Sequence, residues 1–233
     1  MLDLALVMPV YNEEECIVSV VNDWLDMLGT LQINFSLIIL NDGSKDGTVE
    51  ALKAFAENGH VRVVNKANSG HGPTILKGYH LACEQAEWVF QCDSDNEMKP
   101  ENFPKLWKKR SEYDALFGKR HGRVQNGGRK FISQVSRFTV KMLFGKGVTD
   151  VNTPYRLMRS DMLKKIIQQI PEDTFAPNVI ISGAISKAHK RIFEMDVPHD
   201  PRRTGEVSIV KWKLWKSVMK SFFQTLLCRP KVD

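Results

Sequence analysis

Four apolar runs in the first half of the chain, each followed at once by a polar cluster, constrain the fold more than any other feature. Leu4-Ala5-Leu6-Val7-Met8-Pro9-Val10 runs into Tyr11-Asn12-Glu13, and Phe35-Ser36-Leu37-Ile38-Ile39-Leu40 into Asn41-Asp42-Gly43-Ser44. Val61-Arg62-Val63-Val64 leads to residues 65–72, and Trp88-Val89-Phe90-Gln91-Cys92 to Asp93-Ser94-Asp95-Asn96-Glu97. Between them lie segments of helical pattern over residues 14–28, 48–58 and 73–85. Continuous apolar strands separated by helices predict an α/β architecture with a mainly parallel sheet covered on both faces. In such sheets the ligand crevice lies outside the carboxyl ends of the strands, where all four polar clusters fall. Turn chemistry would explain any one of them; four in succession point to a single ligand site.

The second half is less regular. Residues 113–118 read as a strand, 119–128 as a basic, glycine-bearing loop, and 129–144 as a helix ending at Gly145. Residues 148–154 must be a loop, because Pro154 disfavours a helical Thr153. Helices are expected over 160–169 and 178–189, and a last strand over 191–197. With 233 residues, 42% of them hydrophobic, the chain can bury one substantial core, and no linker divides it. No run reaches the roughly 18 apolar residues of a membrane-spanning helix. The N-terminus enters a core strand without a basic leader, so no signal peptide is expected. Cys16, Cys83, Cys92 and Cys228 have no paired spacing and suit a reducing compartment. The six histidines form no His-x-x-x-His pair, which argues against zinc.

The net charge of +6 resides entirely from Arg202 onward, where eight Lys/Arg face only Glu206 and Asp233. The body is formally neutral, so a general nucleic-acid-binding surface is not expected. From residue 207 to 228 apolar pairs recur every four residues (Leu214/Trp215, Val218/Met219, Phe222/Phe223, Leu226/Leu227), with Lys211, Lys213, Lys216 and Lys220 between them. This predicts an amphipathic helix, lying on a membrane surface or docked on the core or an oligomer partner. The chain is therefore divided into a body, 1–206, and a basic helical tail, 207–233.

Asp93 and Asp95 alternate at a strand end and are expected to project to the same side. Both could share one hard divalent cation, with Glu97 as a third oxygen donor. Mg²⁺ is commonly held by one or two carboxylates plus the phosphates of a substrate. In their order, Pro9-Val10-Tyr11-Asn12-Glu13-Glu14, Asn41-Asp42-Gly43-Ser44-Lys45-Asp46-Gly47-Thr48 and Asp93-Ser94-Asp95 resemble the signature of the family 2 glycosyltransferases of GT-A fold, over residues 1–160. That resemblance implies transfer of a sugar from a UDP- or GDP-linked donor, with Mg²⁺ or Mn²⁺ and inversion at the anomeric carbon. It implies a donor nucleotide site of Pro9, Tyr11, Asn12, Glu13, Asp42, Ser44, Gly70, Lys77, Asp93 and Ser94. It implies a metal held by Asp95 with Asp93 and Glu97.

Within the family, Asn68-Ser69-Gly70-His71-Gly72, Gly118-Lys119-Arg120, Arg129-Lys130-Phe131-Ile132-Ser133 and Asp150 with Arg156 resemble the polyprenyl-phosphate branch, the dolichol-phosphate mannose synthase type. The implied acceptor is a lipid phosphate met by Lys119, Arg120, Arg129, Lys130, Arg156, Arg202 and Arg203, with Asp150 and Asp95 as catalytic residues. The implied location is the cytoplasmic membrane face. A solvated basic loop is the competing reading of Arg120, Arg129 and Lys130. The Thr-Glu-Asp and Gln-x-x-Arg-Trp motifs of processive polysaccharide synthases are absent. A second reading keeps the donor but takes a saccharide, lipid-linked glycan or protein acceptor, with Asp150 as a true base. A third is a non-catalytic nucleotide-sugar-binding subunit.

Overall fold

The computed structural model describes residues 1–121, 148–199, 223–228 and 230. The four apolar runs form strands β1 (Leu2–Val10), β2 (Phe35–Asn41), β3 (Val61–Asn65) and β4 (Ala86–Gln91). They alternate with helices α1 (Ile17–Gly29), α2 (Thr48–Leu52) and α3 (His71–Cys83). There follow α4 (Phe103–Lys109), β5 (Ala115–His121), β6 (Arg156–Arg159), α5 (Ser160–Ile167), α6 (Pro177–Lys187) and β7 (Ile192–Pro198). The strands make one seven-stranded sheet in the order β3-β2-β1-β4-β6-β5-β7. β1 pairs in parallel with β2 and β4, β2 with β3, and β5 with β7; only β6 is antiparallel to its neighbours. The α/β, mostly parallel sheet expected from the apolar runs is the one observed.

Side chains alternate across a strand, and β1 shows what each face meets. Leu4, Leu6 and Met8 join a core with Ile17, Val21 and Trp24 of α1 and with Phe103 and Trp107 of α4. Ala5 and Val7 join the opposite core with Ile75 and Tyr79 of α3, Leu163 of α5 and Ile181 of α6. Helix α3 lies close on the sheet at Gly78. A Cβ there would sit 2.3 Å from Val7 Cγ1 and 2.8 Å from Leu40 Cδ1.

Several expected boundaries move. Helix α1 starts at Ile17, because residues 11–16 form a turn entered by Asn12 at φ 54°. Helix α2 is short and passes into a single 3₁₀ turn, Lys53–Phe55. Strand β5 continues to His121, so Lys119 and Arg120 belong to a strand and not to a loop. Strand β4 stops at Gln91, so the alternation invoked for Asp93 and Asp95 does not reach them. The helix expected over 129–144 and most of the tail lie outside the described residues. Residues 223–227 of the tail are helical. They dock on the body, with Thr225 buried and Gln224 Oε1 accepting the Phe175 N–H at 2.9 Å, while Phe223 and Leu227 stay exposed. Among the described residues no helix is long and apolar enough to cross a membrane.

Candidate active site

The loops after β1 and β2 are laced together by the residues that form their motifs. The amide of Asn12 donates to Ser44 Oγ at 3.0 Å, and that of Lys45 to Asn12 Oδ1 at 2.8 Å. The Glu13 amide donates to Thr48 Oγ1 at 2.8 Å, and the Gly47 amide to Glu14 Oε2 at 2.5 Å. Ser44 donates its hydroxyl to Asn41 Oδ1 at 2.6 Å, while Asn41 Nδ2 donates to Asn65 Oδ1. Asn12 and Ser44 thus bind one another's loops. Pro9 is buried within β1, Glu13 is 8% exposed, and Tyr11, just beyond the end of β1, is half-buried.

Asp42, the buried carboxylate after β2, organises the loop between β3 and α3. Its Oδ1 accepts from Lys66 Nζ and from the Ser69 amide, and its Oδ2 accepts from the Gly70 amide at 2.9 Å. Burial by itself would raise its pKa. The Lys66 ammonium and then the Ser69 amide outweigh burial and hold the carboxyl below the usual carboxylate value. Gly43 and Gly70 take φ of 69° and 92°, and a Cβ on Gly43 would meet the Asn68 nitrogen at 2.8 Å. The sequence marks Asp42 as a donor-contacting group; its described partners are the protein's own. Lys77 is exposed on α3, six residues beyond His71, hence about 9 Å along the helix from its start.

Beyond β4 the chain turns at Asn96, whose φ is 56°, and the Glu97 amide donates to Asp95 Oδ1 at 3.1 Å. This turn, rather than strand alternation, brings Asp93, Asp95 and Glu97 to one pocket, which Cys92, Met98, Arg120, Pro154, Tyr155 and His199 also line. Ser94 is buried, and its carbonyl lies 3.6 Å from Cys16 Sγ. Glu97 Oε2 lies 2.8 Å from His199 Nε2, close enough for an ion pair but off the line of a hydrogen bond. Among the described residues no three His, Cys, Asp or Glu side chains are gathered into a ready-made metal cluster. The oxygen donors around the pocket still suit a hard cation that keeps water and phosphate ligands of its own.

Across this pocket Arg120 donates Nε to Asp150 Oδ2 at 2.7 Å and Nη2 to Asp150 Oδ1 at 2.8 Å. Burial opposes the charge on Arg120, but Asp150, with Asp93 and Glu97 further off, raises its pKa. Arg156 does not reach the pocket. It has no exposed surface, and its guanidinium donates to the carbonyls of Thr153 at 2.9 Å, Val151 at 3.1 Å and Asn178 at 3.3 Å. Its place in a phosphate site is corrected: burial and this carbonyl cage make it the clamp of the 148–155 loop. Lys119 points to the other side of β5 and pairs with Asp196 at 2.9 Å. Arg129, Lys130, Arg202 and Arg203 lie outside the described residues. Sequence reasoning missed His199, whose only signal was its place just after the last strand, and Gln91, which donates to Asp93 Oδ1 at 3.2 Å.

A sheet of this order with carboxylates at the ends of β1, β2 and β4 defines the GT-A glycosyltransferase class. The chain belongs to glycosyl transferase family 2, whose description matches residues 5–167. It is 28% identical to an uncharacterized glycosyltransferase of Synechocystis sp., over 99% of this chain and 72% of that protein. It is 27% identical to the undecaprenyl-phosphate 4-deoxy-4-formamido-L-arabinose transferase of Proteus mirabilis, over 87% of this chain. The chain spans 61% of the length of that transferase. Among solved structures, glucosyl-3-phosphoglycerate synthase from Mycobacterium tuberculosis, in complex with Mn²⁺, UDP and phosphoglyceric acid, superposes with a TM-score of 0.73. The identity is 17%, covering 100% of this chain and 80% of that one. S. aureus TarS in complex with UDP-GlcNAc gives a TM-score of 0.62 at 19% identity, covering 97% of this chain and 66% of that one.

Proposed function

We propose that this chain is a metal-dependent inverting glycosyltransferase that moves a sugar from a UDP- or GDP-linked donor to polyprenyl phosphate. The observation that carries the reading is the Arg120–Asp150 pair, bidentate at 2.7 and 2.8 Å, whose Arg120 lines one pocket with Asp93, Asp95 and Glu97. A carboxylate with both oxygens engaged by a guanidinium is a weak proton acceptor. A saccharide hydroxyl needs a base to remove its proton. A phosphate monoester, with a second pKa of about 6, is already an ionised nucleophile at neutral pH. The acceptor named for the arabinose transferases, undecaprenyl phosphate, is of that kind.

In this reading an acceptor phosphate oxygen forms its bond to the anomeric carbon while the bond to the donor's diphosphate oxygen breaks. The nucleoside diphosphate leaves with the electron pair. Asp95, with Asp93 and Glu97, would hold Mg²⁺ or Mn²⁺, which supplies Lewis-acid stabilisation of the diphosphate charge. The loops of Tyr11–Glu13, Asp42–Ser44 and Gly70 would hold the nucleotide. Asp150 fixes the Arg120 fork, and the basic residues Arg129, Lys130, Arg202 and Arg203 would meet phosphate. The tail would lie at the cytoplasmic membrane surface, its lysines toward anionic headgroups.

The test is transfer from UDP- and GDP-sugars to undecaprenyl phosphate and, in parallel, to saccharide acceptors, with wild type and Asp150→Asn. The reading expects transfer to the lipid phosphate that survives in Asp150→Asn with a loss of about tenfold. Loss of a true general base would cost about 100-fold or more. Transfer to a saccharide alone, abolished in Asp150→Asn, would overturn the phosphate acceptor.

A further inference from the structure

A chain of buried polar side chains ends on Asp93. The hydroxyl of Tyr79 lies 2.9 Å from Asn178 Oδ1 and 2.8 Å from Gln91 Oε1. Asn178 Nδ2 donates to Gln91 Oε1 at 2.8 Å, and Gln91 Nε2 donates to Asp93 Oδ1 at 3.2 Å. Tyr79 and Gln91 have no exposed surface, and Asn178 is 3% exposed. The three side chains come from α3, β4 and α6, so they tie both layers of one core to the first residue of the acidic turn.

The direction of the chain is fixed by chemistry. Burial raises the Tyr79 hydroxyl well above its ordinary pKa, so it keeps its proton and acts as a donor. The Gln91 oxygen faces the donors Asn178 Nδ2 and Tyr79, which leaves its NH₂ toward the carboxylate. The reversed amide would set oxygen against oxygen at Asp93 and NH₂ against NH₂ at Asn178. A buried network with every member satisfied locks side-chain rotamers. Arg156, which donates to the Asn178 carbonyl and clamps the 148–155 loop, joins the same support.

We propose that Gln91, oriented by Tyr79 and Asn178, is a positioning residue that holds the Asp93 carboxylate in the orientation the donor–metal site requires. That Asp93 serves such a site rests on the function proposed above; the network does not. Outer groups that orient a metal-binding carboxylate are typically worth 10- to 100-fold in metal affinity.

The test uses the full chain, wild type, Gln91→Met, which keeps length and volume but removes the amide, and Tyr79→Phe. Free Mn²⁺ is counted by electron paramagnetic resonance in titrations with excess UDP, and separately with excess GDP. Metal-free melting is recorded beside them. Weakening of about tenfold in Gln91→Met and about threefold in Tyr79→Phe is expected. A purely structural network would lower the metal-free melting temperature and leave Mn²⁺ affinity of the folded protein at the wild-type value, and that result overturns the proposal. If Gln91→Met does not fold, Tyr79→Phe decides by the same criterion. If wild type itself binds no Mn²⁺ with either nucleotide, the donor-site reading fails instead. Metal-free crystal structures of wild type and Tyr79→Phe then decide the network: an Asp93 carboxyl displaced by on the order of 1 Å supports it, and an unmoved one rejects it.

Discussion

Replacing Lys66 by methionine removes the cation beside Asp42 while keeping most of its aliphatic length. The side chains of Lys66 and Asp42 are only 12% and 5% exposed. Lys66 Nζ also donates to Ala67 O at 2.8 Å and Ser69 Oγ at 2.6 Å. Deleting one partner of a buried ion pair costs about 3–5 kcal/mol, because the other charge stays behind in low dielectric. Asp42 keeps two backbone donors, Ser69 and Gly70, and charge-assisted bonds of that kind place the cost near the lower end, about 3 kcal/mol. For a chain of this size that is a fall of about 6–12 °C in melting temperature.

The loss must depend on pH. The native Asp42 carboxyl is held below its unfolded value. Its contribution to stability is therefore complete above the unfolded carboxylate pKa of about 3.9 and is lost as pH falls through the lower native value. In Lys66→Met burial is opposed only by uncharged donors, the backbone amides and the Thr74 hydroxyl, and protonation relieves it. The gap between the two proteins should be widest near neutrality and should narrow below about pH 4. Urea unfolding at pH 7 and at successively lower pH measures it. A gap under about 0.5 kcal/mol at pH 7, or one that does not change on acidification, would show that the Lys66–Asp42 pair does not stabilise the native state.

Gly72→Ala would place a Cβ 2.2 Å from the Thr174 carbonyl oxygen and 2.3 Å from that of Phe175. Backbone cannot yield as a side-chain tip does, so a loss of about 3 kcal/mol is expected in denaturant unfolding. Burial pushes Cys83 up to about 12 and Cys92 well above the ordinary thiol value, with Asp93 and Asp95 adding to the latter. Ellman's reagent should therefore modify only the half-buried Cys16 and Cys228 in the native protein, and all four thiols once it is unfolded; rapid reaction of all four natively would contradict the packing. Removing residues 207–233 should abolish flotation with anionic vesicles, and undiminished flotation would reject the tail as the membrane contact.

The sequence shows β1, β2 and β4 plainly because each is a run of apolar residues that buries on both faces, as Leu4 to Val10 do, and the partly buried β3 by its three valines. Strand β6 is hidden because it is four residues long, with arginine at both ends and only Leu157 and Met158 between. Helix α4 is hidden because Pro104 sits at its start and three basic residues crowd its seven positions. In the site, the acidic turn could be read from local spacing. The pairing of Arg120 with Asp150, the bond from Arg156 to the Asn178 carbonyl and the approach of His199 to Glu97 arise from chain crossings of 22 residues or more, which no local pattern carries. The motif residues Asn12, Ser44 and Asp42 look like ligand contacts in the sequence. In the fold they also hold loops, a role that depends on partners far along the chain.

The most direct test of the nucleotide-sugar site is a thermal-shift panel of UDP- and GDP-sugars, each with Mn²⁺ and with EDTA, on wild type and Asp95→Ala. A ligand at 100 times its Kd adds about 2.7 kcal/mol to the native state, a rise of about 5–11 °C for a chain of this size. Such a rise is expected for at least one nucleotide sugar, dependent on Mn²⁺ and lost in Asp95→Ala, whose metal-free melting matches wild type. No shift with any nucleotide sugar in the presence of Mn²⁺, or an equal shift in Asp95→Ala, would contradict it.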